Sequence, residues 1–412
     1  AGFSLVMEKF FIMCLNPCRN ATCKLRHTKI MSVGQHNAGT FLLTFSGTIM
    51  TLRNRNIVLA ASLVALTGFA FTAQSARTLP FGNPLRISMN AEVGNAALVQ
   101  FKVTNTSKQA VKIPSWQLPS GALNSDLFEV YLDGQKVEYI GAMIKRGAVT
   151  EADLITLRAG ETKLVMADLS QVYDMSQDGE YSVRFKSYLQ GAKNEKGQAL
   201  TSSNGRMALL QTPALRMRVD AALPVLNIQL KGKPVTGTVV VNGVSFVGCT
   251  TSQQASAGSA VVEARKYTEN SKLYLNAGTT GPRYTTWFGS YTSARYGTAQ
   301  SHYSSIDTAM DQSGGAIKIN CGCKQSYYAY VYPNQPYQIY VCNAFWTAGL
   351  TGTDSKAGTL VHEMSHFDIV ANTDDVVYGQ SGAKSLAISN PTDALRNADS
   401  HEYFGENTPF QN

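Results

Sequence analysis

The chain has 412 residues, 44% hydrophobic and 16% charged, with a formal net charge of +8. That composition excludes disorder and coiled coil, and the length allows two or three domains with real cores. Lys plus Arg against Asp plus Glu run 7 to 1 over residues 1–76, 19 to 14 over 77–241 and 10 to 13 over 242–412. The last segment is therefore mildly acidic, which argues against nucleic acid as a partner and weakly favours cationic substrates.

Residues 1–49 carry Cys14, Cys18 and Cys23 at spacings that no nearby cluster completes into a metal site. No function is expected of them, and the product is expected to begin at Met50. From there the chain reads as a secretory signal peptide over 50–76. Arg53 and Arg55 form a positive start, Ile57 to Phe71 an uncharged apolar run, and Ala73, Ser75 and Ala76 a small-residue cleavage region. The apolar run falls short of the roughly 20 residues a membrane span needs, so no stable membrane anchor is expected after cleavage. The expected location is extracellular.

Residues 77–240 predict β-structure. Val99, Phe101 and Val103 alternate in one run, and Tyr181, Val183 and Phe185 in another. Asp133–Gly134 separates two apolar-rich runs as a hairpin turn would. Strands at this spacing predict an immunoglobulin-like β-sandwich. The region has no His and no Cys, so no catalytic constellation is expected there. Residues 223–243 read as a partly extended linker.

From about residue 241 the texture changes to a mainly helical domain with a small sheet. Residues 253–276 and 301–310 have helical character, 327–346 read as two strands around Pro333 to Pro336, 355–370 as a helix, and 393–407 as a last helix. Four cysteines fall here: Cys249, Cys321, Cys323 and Cys342. An even number in an exported chain predicts two disulfides, and Cys321 and Cys323 are too close to pair with each other. Each of those two then joins either Cys249 or Cys342.

The helix over 355–370 carries H-E-x-x-H as His362, Glu363 and His366. Residues four apart share a helical face, so both imidazoles can meet one zinc ion with Glu363 beside an open position as general base. A third ligand is required. The pattern H-E-x-x-H-x-x-G-x-x-H would need glycine at 369 and histidine at 372, where the chain has Ile369 and Asn372. The glutamates beyond His366 are Glu402 and Glu406, further on than a glutamate ligand is expected. Asp368, Asp374 and Asp375 remain, and Asp368, two residues past His366, points away on a helix.

The stretch "NTDDVVYG" over 372–379 resembles the G-T-x-D-x-x-Y-G motif of the aspzincins, the family of deuterolysin and peptidyl-Lys metalloendopeptidase, with Asn372 in place of the leading glycine. "GCTTSQQ", "VCNAFW", "TGTDSKAGTLVHEMSHF" and "NADSHEYFGEN" extend the resemblance over 246–412. It implies a zincin-like α+β domain with one zinc held by His362, His366 and Asp375. It also implies Glu363 as general base, Tyr378 as hydrogen-bond donor to the oxyanion, and the pairing Cys249–Cys321 with Cys323–Cys342. Asp399 and Glu402, three apart on one helix, match the positions that line the lysine pocket of lysine-specific members. Two carboxylates converging on one ammonium would select lysine after the cleaved bond.

The expected product is thus a secreted zinc endopeptidase, made as an inactive precursor and acting on lysine-containing proteins. Residues 77–240 resemble the family's propeptide, and their basic charge suits an inhibitor of the acidic domain 241–412. Lys231 and Lys233 offer a self-processing point. The alternatives are a broader deuterolysin-like protease and a secreted binding protein or adhesin with a structural zinc.

Overall fold

A computed structural model of the chain describes residues 34–36, 40–42, 81–92, 97–220 and 238–412. The signal-peptide pattern, the three leading cysteines, Lys231 and Lys233 lie outside them. The chain divides into two compact units, 1–74 and 75–412. In the first, Gly34–His36 pairs antiparallel with Thr40–Leu42.

The second unit begins with a sheet-rich region. Leu98–Asn105 runs antiparallel between Leu85–Ala91 and Thr162–Asp168. A second sheet centres on Gly179–Tyr188, flanked by Phe128–Leu132 and by Leu215–Val219. The alternating positions Val99, Phe101 and Val103 face Tyr181, Val183 and Phe185 in one buried layer, and Phe101 meets Phe185 with ring centroids 4.6 Å apart. The predicted hairpin turn forms, with Asp133 at φ 47° and Gly134 at φ 85°, the two positive φ angles a tight two-residue turn demands.

The rest is mainly helical with one six-stranded sheet. In order across the sheet the strands are Thr238–Val241, Val244–Val247, Lys318–Asn320, Gln338–Val341, Ala329–Val331 and Met143–Lys145. Two of these depart from the expected division. The stretch 223–243, expected as a partly extended linker, carries the strand Thr238–Val241 in its described part, and the outermost strand, Met143–Lys145, comes from the sheet-rich region. The helices are α1 (Thr251–Asn276), α2 (Pro282–Phe288), α3 (Ser293–Met310), α4 (Asn343–Thr347), α5 (Lys356–His366), α6 (Gly379–Ser389), α7 (Pro391–Arg396) and α8 (Ala398–Glu406).

Local chemistry sets the ends that matter. Thr250 and Gln253 form a capping box at the start of α1, and Ser355 caps α5 through the Gly358 N–H. The predicted single helix over 393–407 is in fact α7 and α8, broken at Asn397 (φ −88°, ψ 119°). The break has a tertiary cause: Asn397 Oδ1 accepts from Val377 N at 3.0 Å, and Asp374 pairs with the broken backbone, its oxygen accepting from Ala398 N at 3.0 Å. That contact fixes the loop after α5. Of the two cysteine pairings left open, the fold contains Cys249–Cys321 and Cys323–Cys342.

Candidate functional site

Every residue of α5 is buried, which is costly for His362, Glu363 and His366 unless each has a purpose. The imidazoles lie on one face, ring centroids 4.8 Å apart. The chain leaves α5 at Phe367 and returns through Thr373, so Asp375 reaches back to both rings. Its Oδ1 lies 3.1 Å from His362 Nε2 and 3.6 Å from His366 Nε2. Asp374 turns away to pair with Arg396. Asp368 N bonds Pro333 O, and its side chain is not part of the cluster.

The donor set fits a metal ion. His366 Nδ1 donates to Thr373 O at 2.8 Å, which leaves the Nε2 lone pair facing Asp375. That nitrogen and both Glu363 oxygens are buried with no hydrogen-bond partner. Two imidazole nitrogens and one carboxylate oxygen within 4.8 Å of one another suit zinc. His362 Nδ1 is 2.8 Å from Asp399 and 3.3 Å from Glu402, carboxylates placed to orient the ring. Burial pushes the Glu363 carboxyl well above its ordinary range.

His362, Glu363, His366, Asp375, Tyr378, Asp399 and Glu402 come together here, Asp368 and Asp374 do not, and the structure adds several residues that the sequence did not single out. The strand Met143–Lys145 lies antiparallel along Ala329–Val331, with Lys145 opposite Ala329 and Ile144 opposite Tyr330. The Lys145 side chain enters a pocket between Glu402 (2.5 Å), Asp354 (3.3 Å) and Asp399 (3.6 Å) and is 1% exposed. Burial opposes its charge, yet the three carboxylates hold its pKa well above the ordinary lysine value. One residue back, Ile144 O accepts from the Tyr378 hydroxyl at 3.1 Å, and Ile144 N donates to Asp375 Oδ2 at 2.6 Å. Arg146 follows, donating to the Tyr378 oxygen at 2.8 Å and lying over the Trp116 ring. The Gln190 side chain bonds both the N–H and the C=O of Tyr378. The sequence predicts a lysine pocket and an inhibitory region without joining the two, and nothing in it distinguishes Lys145 from the other lysines of that region.

His302 and His401, unassigned by sequence, form a pair linking α3 to α8, with His401 buried and His302 half-buried. His401 Nδ1 donates to Asn397 O at 3.0 Å, so its Nε2 accepts from His302 Nδ1, also at 3.0 Å. Burial depresses His302 to about 4 and His401 to about 3, the latter also through repulsion from His302. With folded pKa values below the unfolded value of about 6.5, the unfolded chain takes up more protons as pH falls. Stability is therefore lost between about pH 6.5 and about pH 4. We expect the melting temperature to drop by several degrees across that window, and by less in a His302→Gln variant. Equal pH dependence of the two proteins would contradict the assignment.

The family described as lysine-specific metallo-endopeptidase (aspzincin) matches residues 274–406. An extracellular protease of Aeromonas hydrophila is 43% identical over 316 residues, 76% of this chain and 89% of its own. A peptidyl-Lys metalloendopeptidase of Armillaria mellea is 37% identical, covering 75% of this chain and 86% of its own. A solved zinc peptidase from Grifola frondosa is 46% identical, covering 40% of this chain and all of its own, with a TM-score of 0.38.

Proposed function

Because the chain belongs to the aspzincin family of zinc metalloendopeptidases, we propose that it is a secreted enzyme, made as an inhibited precursor, that cuts proteins on the amino side of lysine. In this reading 50–76 is the signal peptide, 77–240 an immunoglobulin-like inhibitory propeptide and 241–412 the catalytic domain. The two packed antiparallel sheets support the propeptide assignment. The printed name of the Aeromonas relative and the pattern over 50–76 support export.

His362, His366 and Asp375 would hold the zinc. When bound, zinc supplies Lewis-acid activation of water and of the scissile carbonyl. Glu363, buried with both oxygens free, takes the proton of the attacking water and returns it to the leaving nitrogen. Tyr378 donates to the oxyanion, a role supported by its hydroxyl's bond to Ile144 O. Asp399 and Glu402 bind the ammonium of the residue after the cleaved bond.

The observation that carries this reading is Lys145. It fills the acidic pocket while the carbonyl of the residue before it rests on Tyr378, the placement a substrate's scissile bond would need. The same contacts support inhibition by the precursor's own strand. The test is a map of cleavage sites on a denatured protein, using the active form with and without a zinc chelator. Cuts before lysine, lost to chelator and restored by zinc, are expected. A scatter of other sites would favour the broader deuterolysin-like alternative.

A further inference from the structure

We infer that Asp354, in the loop before α5, is a third carboxylate of the lysine pocket and determines specificity together with Asp399 and Glu402; the inference rests on the lysine reading above. An ammonium group carries three N–H donors and accepts nothing. Around Lys145 Nζ stand three carboxylates, at 2.5 Å (Glu402), 3.3 Å (Asp354) and 3.6 Å (Asp399). Without Asp354 the ammonium would keep two acidic neighbours, and both also face His362 Nδ1. Part of their charge is committed to that ring. Asp354 makes no such contact.

Asp354 is also held in place rather than merely near. Its backbone sits at φ 52°, a left-handed conformation that Asp, Asn and Gly tolerate best. Its N–H donates to Glu406 at 3.2 Å, and the next residue, Ser355, donates from N and Oγ to the same carboxylate at 2.8 and 2.7 Å. A side chain on Gly358 would collide with Glu406, so the glycine keeps this anchor in reach. The Tyr403 hydroxyl donates to Asp354 Oδ1 at 2.7 Å, aiming the carboxylate at the pocket. Asp354 is 38% exposed, against 1% for Asp399 and 0% for Glu402. It stands at the pocket mouth, where an entering ammonium meets it first.

The test expresses the full chain with zinc and assays the active form it yields on two peptides differing only at the residue after the cleaved bond, lysine or uncharged norleucine. Asp354→Asn should lower the lysine-to-norleucine ratio of kcat/KM about fivefold, as expected for one charge-assisted contact at a half-open site. Most of the loss should appear in KM for the lysine peptide, and that KM serves alone if norleucine is cut too slowly. Asp354→Gly, also suited to φ 52°, guards against misfolding of the first variant. Glu402→Gln is the control for the underlying reading. An unchanged ratio in both Asp354 variants while Glu402→Gln loses it overturns the inference alone. A parallel fall for both peptides also overturns it, by making Asp354 structural. An unchanged ratio in Glu402→Gln as well removes the lysine reading and the inference with it.

Discussion

Glu363→Gln should retain zinc and lose nearly all peptidase activity, by roughly 10²–10⁴-fold, the range for a general acid–base group. Glutamine preserves the shape of a side chain that is 0% exposed, so α5 and its two imidazoles keep their positions. What is lost is the ability to take a proton, and the other described carboxylates of the site are each held by a cation or an imidazole. Asp375 is engaged by both imidazoles and by Ile144 N, while Asp399 and Glu402 are engaged by Lys145 and His362. Metal analysis and peptide turnover on the same sample check the prediction, using the Lys145→Met background so that the chain's own lysine does not fill the pocket in either the variant or its Glu363 parent. A zinc-loaded variant that still cleaves at the parent rate would refute the assignment of Glu363.

The second large effect concerns Lys145. Lys145→Met, made with Glu363→Gln so that the chain cannot cut itself, should destabilise the full chain by about 3–5 kcal/mol, the cost of breaking a buried ion pair from one side. Methionine fills much of the volume but leaves Asp399 and Glu402 buried without their cation. The penalty should be larger near pH 8 than near pH 5, because in the variant the stranded carboxylates escape their cost by taking up protons as pH falls. Melting curves at about those two pH values read both effects. With Glu363 intact, the proposed inhibition by this strand predicts that the same substitution gives a full chain already active on peptides. A Lys145→Met chain that melts like its parent and stays inactive would show that this lysine is not the inhibitory group.

How much of this was legible in the sequence depends on the range of the cause. His362, Glu363 and His366 declared themselves because four residues make about one helical turn. Asp375 did not follow from spacing, since Asp374 stands beside it; only the family motif chose between them, and in the fold Asp374 is taken by Arg396. The long hydrophobic alternations of the sheet-rich region were readable as strands. Met143–Lys145 was not, because three residues carry no period and the strand exists only through its partner Ala329–Val331. The break at Asn397 was hidden for the same reason: the residues on both sides favour a helix, and the interruption comes from Val377, twenty positions away in the chain. Asp354 lies within a motif quoted for its resemblance, but its direction depends on Tyr403 and Glu406, which approach from α8.

Met143–Lys145 reaches the site as a sixth sheet strand, with its main chain paired to Ala329–Val331 and with Lys145 O accepting from Tyr328 N at 3.0 Å. Any polypeptide taking its place must offer free amide and carbonyl groups along an extended run. A helix has already spent those groups on itself. Under the proposed cleavage before lysine, lysines in exposed helices should therefore outlast lysines in loops and unravelled chains, however accessible their ammonium groups. The accessibility that governs digestion of a folded target is that of its backbone.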